Sequence, residues 1–255
     1  DMTIQAFKCA EDDSVLLPIN VCYDGFYLSH MAERVELPEQ EEIDRFLPPY
    51  RSQHILLDPD KPMAVDRLTN GYLLVEYRKK HMEAQQAFKK VLDRTDEEYA
   101  KITGRSWGGQ IEEYRTEDAQ YLVFTLGSVT GAVKEIVDRK REKGIPIGLV
   151  KVRAVRPFPM EKIRAVMKGK KGFGVIDRNV SFGWNTGILF QEIRGALYGS
   201  GLELPYVSFI GGLGGEDFTL DLVDQALDSI VENSKKGHRI DVSQWLWSPR
   251  KGVKK

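Results

Sequence analysis

The residues best suited to chemistry lie in short polar loops that follow apolar segments. Residues 24–30 read DGFYLSH and contain Asp24 and His30. These two side chains could act as a carboxylate–imidazole pair, because histidine titrates close to neutral pH. No serine or cysteine in a nucleophile-elbow motif accompanies them. The spacing alone therefore predicts candidate loops, and it predicts neither a catalytic residue nor a metal site.

Two further loops combine glycine or charge with the end of an apolar segment. Residues 125–131 (TLGSVTG) could bring backbone N–H groups to an anion at a helix N-terminus. They match neither GxGxxG nor GxxxxGK[ST], so a tight turn capped by Ser128 is the alternative. In residues 176–183 (IDRNVSFG), Asp177 and Arg178 could position a phosphate, a carboxylate or a partner chain. An internal ion pair that holds the loop explains the same residues without a ligand.

The densest glycine stretch is residues 210–217 (IGGLGGED). Its glycines permit positive φ angles and close approach by another backbone. Glu216 and Asp217 come just before a predicted helix, where negative charge is stabilised by about 0.3–1 kcal/mol. This helix-capping interpretation needs no ligand, and both interpretations stay open.

The elements that position these loops follow from the spacing of the apolar residues. From residue 121 onward, predicted strands alternate with predicted helices. The pairs are strand 121–126 with helix 129–143, strand 147–152 with helix 160–167, strand 174–177 with helix 186–198, and strand 206–210 with helix 219–233. Strand–helix pairs in succession predict a doubly wound α/β domain over residues 119–235 with a parallel sheet.

The first half of the chain is less regular. A helical pattern begins at Ile4, an apolar strand is predicted over residues 15–21, and a short helix over residues 39–46. Residues 69–101 fit one or two amphipathic helices with a break near residues 94–96. Because a lone helix and strand cannot bury both faces, we expect the chain to be a fragment, or a subunit piece that completes its core against another chain.

Composition describes an ordinary globular protein and excludes several classes. The 255 residues carry 37 basic and 38 acidic side chains, which argues against a general nucleic-acid binder. No apolar run reaches the roughly 18–20 residues of a membrane-spanning helix. Cys9 and Cys22 lack CxxC or metal-ligand spacing, so a reducing compartment is expected rather than a disulfide scaffold or a zinc site.

The C-terminal residues 236–255 form a basic tail. Together with Lys235 they carry seven lysines and arginines against a single acid, Asp241. With Trp245 and Trp247, this tail could clamp a partner, or the two tryptophans could pin it to its own domain.

Six blocks occur in the order found in one protein family. They are residues 24–30, residues 57–62 (LDPDKP), residues 125–128, residues 156–159 (RPFP), residues 177–183 and residues 212–217. Together they make the chain resemble the α subunit of the 2-oxoacid:ferredoxin oxidoreductases, most closely the pyruvate synthase type, over essentially its whole length.

This resemblance implies a domain organisation. Residues 1–50 would be the end of the domain that binds the pyrimidine side of thiamine diphosphate, and residues 51–118 an extended and helical linker. Residues 119–235 would form a domain similar to the C-terminal domain of transketolase, followed by the basic tail.

The resemblance also implies the chemistry of the whole enzyme. A 2-oxoacid is decarboxylated on thiamine diphosphate, electrons pass through iron–sulfur clusters to ferredoxin, and coenzyme A takes the acyl group. The acid that activates the thiamine ring and the arginine that holds the substrate would lie in an earlier part of the first domain. Four thiolates hold an iron–sulfur cluster and the chain has two cysteines, so a partner subunit would carry the clusters. The chain alone is therefore expected to be inactive.

Within such a complex, located in the cytoplasm, the chain would serve mainly as scaffold and subunit interface. Thiamine diphosphate with Mg²⁺ and coenzyme A would be used by the full complex, whose partners would be the other subunits and ferredoxin. The residues expected at the interface or the active-site entrance are Asp24, Phe26, Ser29, His30, Asp177, Arg178, Ser181, Gly183, Gly212, Gly214, Gly215 and Asp217. Glu216 departs from the family, which usually has a basic residue there.

Two alternatives remain at this point. One is the β chain of a 2-oxoacid dehydrogenase or another transketolase-like enzyme. The other is a non-catalytic docking module that uses the α/β domain only for assembly.

Overall fold

The computed structural model describes residues 1–52, 57–65 and 68–247. The chain divides into two compact units: unit 1 comprises residues 1–21 and 34–109, and unit 2 comprises residues 22–33 and 110–255. The helices are α1 (Met2–Ala10), α2 (Gln40–Phe46), α3 (Gly71–Thr103), α4 (Val129–Glu142), α5 (Met160–Met167), α6 (Ile188–Leu197) and α7 (Leu220–Lys235). The strands are β1 (Ile111–Tyr114), β2 (Tyr121–Thr125), β3 (Ile147–Val152), β4 (Gly172–Asp177), β5 (Tyr206–Gly211) and β6 (Gln244–Leu246).

Unit 2 is built on a six-stranded sheet in the order β1-β3-β2-β4-β5-β6. The strands β2 to β6 run parallel, and β1 pairs antiparallel with β3 at one edge. Every residue of β2 and β4 is buried, as expected for parallel strands that are covered on both faces. The prediction of four parallel strands is confirmed.

Helices cover both faces of this sheet. Apolar residues of α4 and α7, among them Val133 and Leu227, form one core cluster with the sheet. Residues of α5 and α6, among them Ile163 and Phe190, form the second cluster on the other face. The predicted doubly wound α/β fold class is therefore confirmed.

The sheet reverses its strand order next to β2. From β2 the chain first adds β3 on one side and then crosses back to place β4 on the other. The carboxyl ends of β2 and β4 consequently flank a topological switch point, the place where open α/β sheets take their ligands. The loops after these two strands are residues 126–128 and 178–187.

Unit 1 is helical, and here two predictions were wrong. Residues 15–21 form no strand, because no backbone among the described residues pairs with them. Val15 instead packs with Cys9 of α1 and Val91 of α3. The predicted break in α3 is also absent: the helix continues through residues 94–96.

Asp96 explains why α3 does not break. Its carboxylate accepts hydrogen bonds from Gln5 Nε2 at 3.0 Å, Ser106 Oγ at 2.6 Å and the backbone N–H groups of Trp107 and Gly108 at 3.0 and 2.9 Å. A buried aspartate with these partners costs little inside a helix, so tertiary contacts override its poor helix propensity.

Two strands were missed by the sequence analysis. The strand β1 has four residues and β6 has three, and both lie at edges of the sheet. Short edge strands carry little hydrophobic periodicity, so only their pairing with β3 and β5 identifies them. Trp245 in β6 is half exposed. Of the predicted basic tail, residues 248–255 lie outside the described residues.

Candidate functional site

The candidate loops of unit 2 meet at the carboxyl edge of its sheet. The loops after β2, β4 and β5 contribute Ser128, Arg178 and residues 212–217, respectively. Residues 22–33, which we call the strap, are bonded to all three loops through Asp24 and Tyr27. The strap and these loops form the candidate functional site.

Asp24 is the main anchor of the strap. Its Oδ2 accepts a hydrogen bond from the backbone N–H of Ser128 at 3.0 Å and a second one from the Ser128 hydroxyl. The Arg178 guanidinium lies 2.9 Å from the same oxygen through Nη1, and it also donates to the Ser128 hydroxyl at 2.9 Å and to the Gly212 carbonyl at 3.5 Å. A carboxylate, an arginine and the start of α4 therefore meet at the switch point.

These contacts set the charge state of Asp24. Partial burial by itself would raise the pKa of this carboxyl, but the hydrogen bonds from Ser128 and the charge of Arg178 outweigh it and hold the pKa below its ordinary value. The aspartate is consequently ionised at neutral pH, and the ion pair with Arg178 is present.

Glycine permits the close approach at this point. Gly127 has a φ of +67°, and a Cβ there would lie 3.2 Å from Asp24 Oδ2. Gly212 also has a φ of +67°, and a Cβ there would lie 3.0 Å from Arg178 Nε. Both the backbone conformation and the space favour glycine at these two positions.

Tyr27 is the second anchor. Its hydroxyl lies 3.0 Å from the Gly215 carbonyl and 3.1 Å from Asp217 Oδ1. The hydrogen bond to Asp217 raises the pKa of Tyr27, since losing the phenolic proton would place two negative charges together. Nothing in the sequence pattern singled out Tyr27, because its partner lies 190 residues away.

The turn between residues 26 and 30 holds the other predicted strap residues. Ser29 Oγ accepts from the Phe26 N–H at 2.9 Å and lies 2.7 Å from His30 Nδ1. The His30 ring stacks on Phe26 at a centroid distance of 5.4 Å. Asp24 and His30 thus have separate partners, and the proposed carboxylate–imidazole pair is not formed.

Asp177 does not act together with Arg178. Its side chain is buried and accepts from the backbone N–H groups of Leu189 and Phe190 at 3.0 and 3.1 Å, and from Asn179 Nδ2 at 3.1 Å. Asp177 therefore caps the first turn of α6 from the end of β4. Burial raises the pKa of Asp177 to about 6, although these three hydrogen bonds oppose the shift.

The rest of the loop after β4 is a small hairpin. Ser181 pairs with Thr186 through a bridge, with the Ser181 N–H 2.8 Å from the Thr186 carbonyl, and Gly183 has a φ of +93°. The hairpin exposes two aromatic side chains, Phe182 at 91% and Trp184 at 71%. Such large exposed aromatics are candidates for contact with another protein.

The two predicted helix starts of α4 and α7 differ in how they are capped, and only the predicted cap by Ser128 was wrong in detail. Ser128 occupies the N-cap position of α4 but makes no capping hydrogen bond, because its hydroxyl is used by Asp24 and Arg178. For α7 the N-cap is Thr219, whose side chain accepts from the Leu222 N–H. Glu216 and Asp217 come just before that cap, as predicted, and the Asp217 carboxylate accepts a hydrogen bond from the Tyr27 hydroxyl.

The remaining chemical features are few. Gly214 and Gly215 lie in a 3₁₀ turn with φ values of +61° and +80°. Cys9 is buried and Cys22 exposed, and the two form no disulfide. Within the described ranges no three His, Cys, Asp or Glu side chains are grouped to hold a metal ion, and no helix is long and apolar enough to cross a membrane.

Two family models match this chain. Residues 1–97 match the thiamine-diphosphate-binding model of pyruvate flavodoxin/ferredoxin oxidoreductases, and residues 119–223 match pyruvate:ferredoxin oxidoreductase core domain II. The candidate loops after β2 and β4 lie in the second match, and the strap lies in the first.

Curated relatives agree with these models. The chain is 45% identical over 235 residues to the α subunit of NADH-dependent phenylglyoxylate dehydrogenase from Aromatoleum evansii, covering 89% of this chain and 56% of the relative. It is 37% identical over 246 residues to pyruvate synthase subunit PorA from Methanosarcina barkeri, covering 96% of this chain and 61% of the relative. The chain thus spans little more than half the length of these relatives.

Among solved structures, the chain is similar to a 2-oxoglutarate:ferredoxin oxidoreductase from Magnetococcus marinus. The TM-score is 0.42 at 16% identity, over 64% of this chain and 24% of that one. On the two family models and the relatives in sequence, the chain belongs to the family of α subunits of the 2-oxoacid:ferredoxin oxidoreductases.

Proposed function

We propose that this chain is part of the α subunit of a thiamine-diphosphate-dependent 2-oxoacid:ferredoxin oxidoreductase, with pyruvate as the 2-oxoacid. The observation that carries this proposal is the pair of family matches, to residues 1–97 and 119–223, which together cover most of the chain. The relatives bearing the name pyruvate synthase support pyruvate, whereas the phenylglyoxylate relative supports the 2-oxoacid class.

The cofactors belong to the whole complex in this proposal. Thiamine diphosphate with Mg²⁺ supplies the carbanion chemistry, coenzyme A accepts the acyl group, and clusters in a partner subunit pass electrons to ferredoxin. Within the described residues no three Asp, Glu, His or Cys side chains are grouped to hold a metal ion, and in this proposal the diphosphate and Mg²⁺ are held by other parts of the complex. The chain's own role is to scaffold and to contact the other subunits, in the cytoplasm.

The carboxyl edge of unit 2 is the proposed contact surface. The strap and the hairpin after β4 expose Phe26, Met31, Phe182 and Trp184, each more than half accessible to solvent. Exposed aromatic side chains are enriched at the centre of protein interfaces. In this proposal the site residues at this edge order loops for assembly.

The activity is tested on the native complex. The full subunit that contains this chain, carrying an affinity tag and purified from the organism that makes it, should co-purify with an iron–sulfur subunit. The complex should reduce ferredoxin only when pyruvate and coenzyme A are both present. A complex without iron–sulfur clusters that passes acyl groups to a lipoyl arm would instead support a 2-oxoacid dehydrogenase. Co-purification without any 2-oxoacid-dependent activity would indicate a docking module.

The contact surface is tested with paired variants. Trp184→Ser at the carboxyl edge should reduce recovery of the partner subunit, because an exposed anchor side chain is lost. Tyr198→Ser is the matched control, since Tyr198 is 88% exposed in the same unit but lies at the C-terminal end of α6. Equal recovery in both variants would contradict the proposed surface.

A further inference from the structure

The switch point of unit 2 is filled by the chain itself. In open α/β sheets this crevice takes ligands, and the start of the following helix favours negative charge. Here the occupant is the carboxylate of Asp24, which accepts from the Ser128 N–H at the start of α4 and pairs with Arg178. The side chains of Asp24 and Arg178 are about three-quarters buried, with 26% and 22% of their surface exposed.

Almost nothing else holds the strap. Of its twelve residues, only Asp24 is partly buried, and all the others are exposed. Phe26, Leu28 and Met31 have from about half to two-thirds of their surface accessible, so they contribute little apolar burial. Closing the strap therefore depends on polar contacts, in contrast to the apolar cores on the two faces of the sheet.

The contacts inside the strap are local. The Tyr27 N–H donates to the Gly25 carbonyl at 2.9 Å, and the His30 N–H donates to the Phe26 carbonyl at 2.8 Å. These hydrogen bonds shape the turn but do not attach it to the sheet. The attachment is made by Asp24 at one end of the turn and by the Tyr27 hydroxyl beside it.

From these observations we propose that the strap is a latch, in which Asp24 is the internal ligand of the switch-point crevice. In the closed state, Asp24, Ser128 and Arg178 hold the strap on the sheet edge and order the Phe26–His30 turn. In the open state, the strap leaves the edge while the sheet and its two cores stay folded. This proposal rests on the contacts of unit 2 and does not depend on the proposed function.

The latch predicts a local opening that hydrogen exchange measures directly. In the wild-type chain, the Tyr27 and His30 amides of the strap and the Ser128 amide should be protected. Asp24→Asn removes the charge from the hydrogen bonds and the ion pair, so these amides should exchange about tenfold faster, as expected for the loss of one charge-assisted bond. Tyr27→Phe should give a smaller increase, because a neutral hydroxyl is lost.

A second pair of variants separates the latch from general stability. Arg178→Met should also accelerate exchange of the strap amides. The double variant should be slower than the product of the two single effects, since both single variants remove the ion pair between Asp24 and Arg178. Asp118→Asn is the matched control. It breaks the 2.7 Å ion pair between Arg141 and Asp118 of unit 2 and should leave the hydrogen-exchange rates of the strap amides unchanged.

Three results would overturn the proposal. The first is a wild-type strap that exchanges at the unprotected rate. The second is equal exchange of the strap in wild type and in Asp24→Asn. The third is an acceleration of the β2 and β4 amides as large as that of the strap, because Asp24 would then support the whole unit.

Discussion

Replacing Asp177 by asparagine should destabilise unit 2 by an amount that depends on pH. The carboxylate accepts from the N–H groups of Leu189 and Phe190 and from Asn179 Nδ2. An asparagine oxygen can accept some of these bonds, but its NH₂ group faces donors. Leaving one buried donor unsatisfied costs about 1–3 kcal/mol.

The pH dependence comes from the pKa of Asp177, which burial raises from 3.8 to about 6. Because the folded state binds its proton more tightly than the unfolded state, this group's contribution to stability is fully present below pH 3.8 and is lost as pH rises through 6. The full loss is about 3 kcal/mol, of which about 1.4 kcal/mol falls between pH 5 and 7.5.

Urea unfolding of the wild type and Asp177→Asn at pH 5 and pH 7.5 measures this effect, and the difference between the two proteins cancels the other titrating groups. The variant should be more destabilised, relative to wild type, at pH 5 than at pH 7.5, by about 1.4 kcal/mol. A destabilisation that grows toward pH 7.5 would refute the reasoning. It would show that the three hydrogen bonds outweigh burial and lower the pKa of Asp177.

Two further predictions concern packing in the same unit. Gly187→Ala should cost about 3 kcal/mol or more in the free energy of unfolding, because the added Cβ would lie 2.0 Å from Asp177 Cγ. Gly195→Ala in α6 should be neutral or stabilising by up to about 1 kcal/mol, because a Cβ there would meet no side chain and no other segment within 4 Å. Equal thermal shifts of the two would contradict the steric argument. Lys140→Met should cost about 1–3 kcal/mol, because the buried ammonium lies 2.8 Å from Asp224 and 2.6 Å from Asp228 and joins α4 to α7. Asp228→Asn leaves Lys140 its second carboxylate, so it should cost less in the same urea titration.

The sequence was most informative where apolar residues alternate regularly. The helix α5 was predicted with the observed ends, Met160–Met167, and the other helices of unit 2 to within two residues. Glycines after strands also located the three loops of the carboxyl edge. The domain boundaries and the roles of the loop residues stay predictions.

The sequence was least informative where a residue's partner is far along the chain. Residues 15–21 have the composition of a strand, but a strand needs a neighbouring backbone, and the described residues provide none. Asp96 has a low helix propensity, but its hydrogen bonds to residues 106–108 keep α3 continuous. Neither fact can be predicted from local propensity, because each depends on residues that lie far along the chain or on a missing neighbouring strand.

The amino-acid sequence by itself determined the doubly wound architecture, because the periods of burial are local properties of strands and helices. The sequence also identified the family, because six short blocks occur in the order that the family has. Only the tertiary structure decided what the polar residues do. The Asp177 side chain caps α6, whereas the neighbouring Arg178 pairs with Asp24, which lies 154 residues away in sequence. Charge pairing acts over a few ångströms of space, and the fold alone sets which side chains come within that distance.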